Sequence, residues 1–127
     1  MGYSTTFEGR MRLSPTLTVA QKHDINSFCE SRHGGDTQVD PGFPGFWCDW
    51  TTDGEFLQWN GSEKSYSMAK WLEELIKRFF RPMGVTVSGK MLAQGESLND
   101  RWTMEVGADQ SVKVQAVSMK ESLGITD

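Results

Sequence analysis

The feature that most constrains this chain is an amphipathic segment at residues 67–84, SMAKWLEELIKRFFRPMG. Its large apolar side chains recur every three or four residues, a spacing that places them on one face of an α-helix. They are Met68, Trp71, Leu72, Leu75, Ile76, Phe79 and Phe80. Because so wide an apolar face must be buried, it predicts a sheet large enough to cover it.

This helix has sequence signals at both of its ends. Ser67 is a favourable N-cap residue, since its hydroxyl can accept a hydrogen bond from the first turn. Pro82 disfavours helical geometry at Arg81. Gly84 can adopt the left-handed conformation that commonly ends a helix. The sequence therefore predicts a helix that begins after Ser67 and stops close to Pro82.

Alternating apolar and polar residues predict six strands around this helix. The predicted strands cover residues 6–13, 46–50, 55–59, 85–94, 101–106 and 112–116. A shorter helix follows the first strand, where Thr18 and Gln21 have the spacing of a capping box. The element order is therefore β-α-β-β-α-β-β-β, which indicates a single α+β domain over residues 1–127.

The order of the elements also predicts an architecture, an antiparallel sheet with two helices on one face. The first six elements match the split βαβ arrangement of ferredoxin-like folds, which the last two strands would extend as a C-terminal hairpin. The alternative is an antiparallel meander with both helices on one face. Residues 33–45 form a flexible loop rich in glycine and proline, and residues 118–127 form a polar tail.

Composition narrows the classes of function. The chain has 127 residues and a formal net charge of −4, which argues against non-specific binding to nucleic acid or to anionic lipid. The N-terminal sequence MGYSTTFEG lacks the apolar core of a signal peptide, and no run of residues is long enough to span a bilayer. We therefore expect a cytoplasmic protein whose two cysteines are reduced thiols.

Residue types that carry catalysis are present but do not form a known motif. Cys29 and Cys48, with His23 or His33, could in principle supply a nucleophile and its base or a zinc site. Their spacing matches neither arrangement, and core thiols with surface histidines are the expected alternative. Glycine-rich phosphate-binding motifs are also missing from the sequence. We expect no enzyme activity, no cofactor and no metal.

A cluster of aromatic and charged residues is the strongest candidate for a binding site. It consists of Trp47, Trp50, Trp59, Glu63, Lys64 and Tyr66. These rings could simply close a small core, or they could form an exposed patch that anchors a partner, since Trp and Tyr dominate interface hot spots. The strand at residues 46–50 would lie at a sheet edge and offer a route to self-association.

The middle of the chain resembles a family of small uncharacterised proteins that bacteria and their phages encode. The matching residues are PGFWCDW at 44–50, WNGSEK at 59–64 with Tyr66, WL at 71–72, LI at 75–76 with Phe79, Pro82 with Gly84, and QGE at 94–96. Two departures are a shorter loop before Pro44 and Met83 in place of an expected tryptophan. The resemblance implies an intracellular bacterial or phage protein and supplies no reaction.

Together these observations predict a non-enzymatic intracellular protein-binding module. The resemblance further implies a phage-encoded modulator or inhibitor of a host defence system, which would act in the host cytoplasm on another protein of the host or the phage. The alternative is a single-stranded nucleic-acid-binding protein in which Trp47, Trp50 and Trp59 stack on bases. A membrane partner is not expected.

Overall fold

The fold is taken from a computed structural model, which describes residues 3–117. This part of the chain contains seven strands: β1 (Thr6–Glu8), β2 (Met11–Ser14), β3 (Trp50–Thr52), β4 (Phe56–Trp59), β5 (Thr86–Gln94), β6 (Arg101–Val106) and β7 (Val112–Ala116). Its two helices are α1 (Val19–Glu30) and α2 (Met68–Leu75). Helix α2 continues through a π-helical turn (Ile76–Phe80) into a last short turn (Arg81–Met83).

All strand pairs are antiparallel, and the strands follow one another across the sheet in the order β3-β4-β2-β5-β6-β7. Strand β1 pairs with the far end of β5, beside β2. The predicted α+β class, single domain, antiparallel sheet and two helices are confirmed. The predicted tail at residues 118–127 lies outside the described residues.

The first strand, predicted as one element over residues 6–13, is interrupted in the middle. Strands β1 and β2 pair with β5 in the same register, because Glu8 lies opposite Leu92 and Arg12 lies opposite Ser88. The interruption is at Gly9, which has a φ of +96°. A glycine relieves this kink because a residue with a side chain rarely adopts that conformation.

The apolar face of α2 is buried as the sequence predicts. Phe79 is half-buried, and the other six side chains lie in the core. These six are Met68, Trp71, Leu72, Leu75, Ile76 and Phe80. They pack with Ile25 and Cys29 of α1 and with the inward side chains of the strands in one core. The sheet and both helices therefore share a single hydrophobic interior.

Both ends of α2 differ in detail from the prediction. Ser67 has a left-handed conformation with φ of +56°, and its side chain makes no capping hydrogen bond. The helix also runs past Pro82, because the preceding turn widens so that the Arg81 N–H donates to the Ile76 carbonyl, five residues earlier. A wider turn makes room for the proline ring, which collides with the carbonyl four residues before it in a regular α-helix. Gly84 ends the helix with φ of +72°, as expected.

Helix α1 begins with the predicted capping box, in which Thr18 and Gln21 exchange side-chain and backbone hydrogen bonds. It lies beside β3, the edge strand of the sheet. The Asn26 side chain donates to the Thr52 carbonyl at 2.9 Å and accepts from the Thr52 N–H at 3.0 Å. Helix α1 therefore hydrogen-bonds to the outer side of β3.

Candidate functional site

The six predicted partner-binding residues do not all lie on one surface. Trp47 and Tyr66 are exposed to 50% and 53%. Glu63 and Lys64 are also exposed, on the turn that leads into α2. The other two residues, Trp50 and Trp59, are withdrawn from the surface to different extents.

Trp50 belongs to the core, since only 1% of its surface is exposed. Its indole Nε1–H donates to the Met68 carbonyl at 3.0 Å, which ties β3 to the first turn of α2. Trp59 is half-buried, its ring lies 5.6 Å from that of Phe7, and its Nε1–H donates to the Ser65 hydroxyl at 2.7 Å. Trp50 therefore offers no exposed ring face, and Trp59 offers only part of one.

The segment before β3 is also not the strand that the sequence predicts. Strand β3 begins at Trp50, and residues 46–49 have irregular backbone. Both Cys48 and Asp49 are buried, whereas Trp47 points outward. Strict alternation of a strand would have exposed Asp49 together with Trp47.

A buried histidine holds this irregular segment in place. The His33 N–H donates to the Phe46 carbonyl at 2.7 Å, and its Nε2–H donates to the Phe28 carbonyl at 2.8 Å. The imidazole ring stacks on Phe43 with 4.8 Å between ring centroids. The expectation of a surface histidine is therefore wrong for His33, which anchors the loop at residues 33–45 to α1. The flexibility of that loop stays a prediction.

Trp47 lines two grooves. The first has a volume of about 490 Å³, and half of its lining residues are aromatic. It is lined by Phe46, Trp47, Tyr66 and Trp71, with Asp49 and Lys64 as its charged residues. The second, of about 540 Å³, is also lined by Trp47 and is more polar, with Asn26, Asn60 and Ser62 among its lining residues. Asp49 and Lys64 border both grooves.

Two buried polar groups lie around the first groove. The Nε1–H of Trp71 is buried and has no hydrogen-bond acceptor among the described residues, and a Cβ at Gly45 would lie 3.8 Å from it, at ordinary van der Waals distance. Asp49 is held by Asn60, whose backbone N–H donates to the Asp49 carbonyl at 3.0 Å. The Asn60 side-chain amide lies 3.5 Å from the Asp49 carboxylate. The groove is thus apolar, with one carboxylate and one ammonium at its border.

The two cysteines behave as core thiols. Cys29 and Cys48 are both buried, and the Cys48 thiol donates a hydrogen bond to the Cys29 sulfur. That hydrogen bond, together with burial, raises the pKa of the Cys48 thiol above its ordinary value. Because the nucleophilic form is the thiolate, this environment disfavours a catalytic cysteine. Within residues 3–117 no group of three or more His, Cys, Asp or Glu side chains could hold a metal ion.

Comparisons with protein-family models, with curated proteins and with solved structures found no match. The site must therefore be interpreted from its own geometry. In the described part of the chain, no helix has the length and apolar character to cross a membrane. The residues that sequence analysis missed are Phe46, Asp49 and Trp71. The density of aromatic residues between Phe43 and Trp50 was the available signal for Phe46 alone.

Proposed function

We propose that this chain is a non-enzymatic intracellular module that binds another protein through the Trp47–Tyr66 surface. This name denotes the exposed residues Trp47, Tyr66, Lys64 and Glu63 together with the apolar groove between the two rings. One observation carries the proposal: two large aromatic side chains, each about half exposed, flank an apolar groove of about 490 Å³. Exposed Trp and Tyr beside a groove match the residue types that dominate protein interfaces.

The physical basis is the balance between burial and ordering. A partner that covers Trp47 and Tyr66 gains the transfer free energy of two large rings, each with few rotatable bonds to immobilise. The groove is partly built in advance, since Asn60 holds the backbone of Asp49 and His33 holds that of Phe46. Its volume is large enough for more than one apolar side chain of the partner. The opposite charges of Glu63 and Lys64 at the rim would orient that partner more than strengthen its binding.

The edge of β3 supports docking by side chains rather than by strand addition. Self-association through residues 46–50 would need free backbone groups along that edge. The structure has irregular backbone at 46–49, and Asn26 occupies both outward backbone groups of Thr52. A partner at this end of the sheet would therefore contact the rings and the groove.

We extend the proposal to the biological context and to the fold. The resemblance in sequence supports a phage-encoded modulator or inhibitor of a host defence system that acts in the host cytoplasm. The strand order supports a ferredoxin-like core: with β1 and β2 taken as one strand, that strand lies between β4 and β5, and β4 lies between it and β3. Strands β6 and β7 then form the added hairpin.

Binding to single-stranded nucleic acid is less well supported. That alternative needs Trp47, Trp50 and Trp59 as a stacking platform, yet Trp50 is in the core and Trp59 is half-buried. A single exposed tryptophan is a poor stacking platform for bases. A net charge of −4 also disfavours binding to the phosphate backbone.

Site-specific photo-cross-linking tests the proposal. A photoreactive phenylalanine analogue would replace Trp47 in one variant and Gln58, an exposed residue of β4 that lines neither groove, in the matched control. We expect one protein to be cross-linked from position 47 and not from position 58, and the purified partner to bind the wild-type chain. Equal cross-linking from both positions, or a nucleic acid whose binding declines steeply with salt, would contradict the proposal.

A further inference from the structure

The far edge of the sheet, β7, carries backbone groups that have no hydrogen-bond partner within residues 3–117. Lys113 and Gln115 pair with residues of β6, and the Val117 N–H donates to the Arg101 carbonyl at 2.8 Å. Because backbone groups alternate in direction along an antiparallel strand, the residues between these point away from β6. They are Val112, Val114 and Ala116. None of their outward backbone groups has a hydrogen-bond partner among residues 3–117.

The two edges of the sheet therefore differ. On β3, Asn26 fills the donor and the acceptor of Thr52, so a helix side chain takes the place of a neighbouring strand. On β7, the described residues offer no such cover. An uncovered edge is a template for pairing with another strand.

We propose that β7 is a homodimer interface, in which the same strand of a second copy pairs with it antiparallel. The pairing would place Val114 opposite Val114 of the second copy, on a two-fold axis. The chain would then present the same surface on both sides of the interface, as two-fold symmetry requires.

The sequence of β7 is self-complementary in this register. Val112 faces Ala116 of the second copy and Lys113 faces Gln115, so no like charges meet. Each of the three outward-pointing residues forms a hydrogen-bonded pair with a residue of the second copy. Each pair exchanges two backbone hydrogen bonds, so the three pairs form about six. A shift by two residues toward the N-terminus would place Lys113 opposite itself, and like charges directly opposite one another are destabilising.

An exposed apolar side chain marks the same edge. Val114 is 54% exposed, and its neighbour Met104 on β6 is buried, so Val114 projects from the helix side of the sheet. It borders a groove of about 340 Å³ that Trp102 and Met68 also line. A second copy of β7 would remove Val114 from water in both chains at once.

The difference between the edges also limits the size of the assembly. A chain with two open edges can add copies without end, whereas a chain with one can close only a pair. With Thr52 of β3 covered by Asn26, a copy that is paired through β7 cannot add a further strand at that position of β3. This inference does not depend on the Trp47–Tyr66 surface or on its partner.

Sedimentation velocity and amide hydrogen exchange on the full-length chain test the proposal. We expect reversible dimerisation at concentrations up to about 500 µM, as suits a small interface, with protection of the Val112, Val114 and Ala116 amides that rises with concentration. Val114→Pro removes the central N–H without touching a bond to β6 and should weaken dimerisation by about tenfold or more. Val114→Thr keeps the backbone donor and should stay within about threefold of the wild type.

Three outcomes would overturn the proposal. The first is a wild-type chain that remains monomeric at the highest concentration. The second is protection of the three amides that does not depend on concentration, which would mean that the chain covers its own edge. The third is a folded Val114→Pro variant that dimerises as the wild type does. A melting curve for each variant separates loss of pairing from loss of fold.

Discussion

The Cys48 sulfur lies 3.4 Å from the Cys29 sulfur, in the core between α1 and the segment that carries Trp47. The pair joins the first helix to the candidate site without a covalent bond. The hydrogen bond from Cys48 to Cys29 and the burial of both groups keep the pKa of the Cys48 thiol above its ordinary value. Stability should therefore depend on pH in the alkaline range.

The sign of this dependence follows from proton binding. In the unfolded chain a cysteine loses its proton at a pH of about 8.5, whereas Cys48 in the folded chain keeps it. Below that pH both states are protonated, and the full stability is present. As the pH rises above about 8.5, the free energy of unfolding decreases by up to about 1.4 kcal/mol per pH unit. Melting temperatures from pH 7 to 10 should fall more steeply for the wild type than for Cys48→Ser. If the melting temperatures of the two proteins fall in parallel with pH, the Cys48 thiol is not the cause of the dependence.

Replacement of both thiols should leave the fold intact. The Cys29→Ser and Cys48→Ser double variant places hydroxyls in the core, and we expect a loss of about 1–2 kcal/mol in the free energy of unfolding. Denaturant titration measures the loss, and metal analysis of the wild type should find no bound zinc. Zinc that is bound to the wild type and absent from a folded double variant would instead support a metal site at these cysteines.

Leu75 lies at the centre of the contact between α2 and the sheet, fully buried. Leu75→Asp places an unpaired charge there and should unfold the domain, since the cost of several kcal/mol is comparable to the total stability of a small domain. The matched control is Lys77→Asp, on the exposed face of the same helix. Circular dichroism should show a cooperative transition for the control alone. Two similar transitions would mean that α2 is not the core element.

Asn26→Ala should both destabilise the chain and open the β3 edge. It leaves the Thr52 N–H and carbonyl without partners, a loss of about 1–3 kcal/mol. With β3 and β7 both uncovered, the chain should form assemblies larger than a dimer. Ser27→Ala, one residue along α1, is the matched control. Light scattering that stays unchanged in a folded Asn26→Ala variant would contradict the protective role of Asn26.

Much of the fold could be predicted because its signals are local. The apolar face of α2, the Thr18 capping box and the left-handed Gly84 depend on residues within a turn of one another. The left-handed conformation of Ser67 and the π-helical turn before Pro82 could not be predicted. Both depend on contacts with residues outside the local sequence pattern. The kink at Gly9 could not be predicted either, because it depends on the pairing of β1 and β2 with the distant strand β5.

The candidate site was less predictable than the fold. Alternation suggested that Trp47 faces away from Cys48 and Trp50, and Trp47 is indeed the exposed ring. Trp50 was nevertheless included in the predicted aromatic cluster, and its hydrogen bond to Met68 in α2 holds it in the core instead. The sequence could not reveal that His33 fixes the Phe46 backbone, a contact across thirteen positions of the chain. That Trp47 and Tyr66 bind a partner stays a prediction.

The most direct test of the central claim is a titration of the cross-linked partner, once purified, against wild-type chain and Trp47→Ala, with a melting curve for each. The claim predicts that Trp47→Ala weakens binding by about 30-fold, or about 2 kcal/mol, while the melting temperature hardly changes. Trp50→Ala, in the core, should instead lose about 3–5 kcal/mol of stability. A Trp47→Ala chain that unfolds, or that stays folded and binds as tightly as the wild type, would contradict the claim.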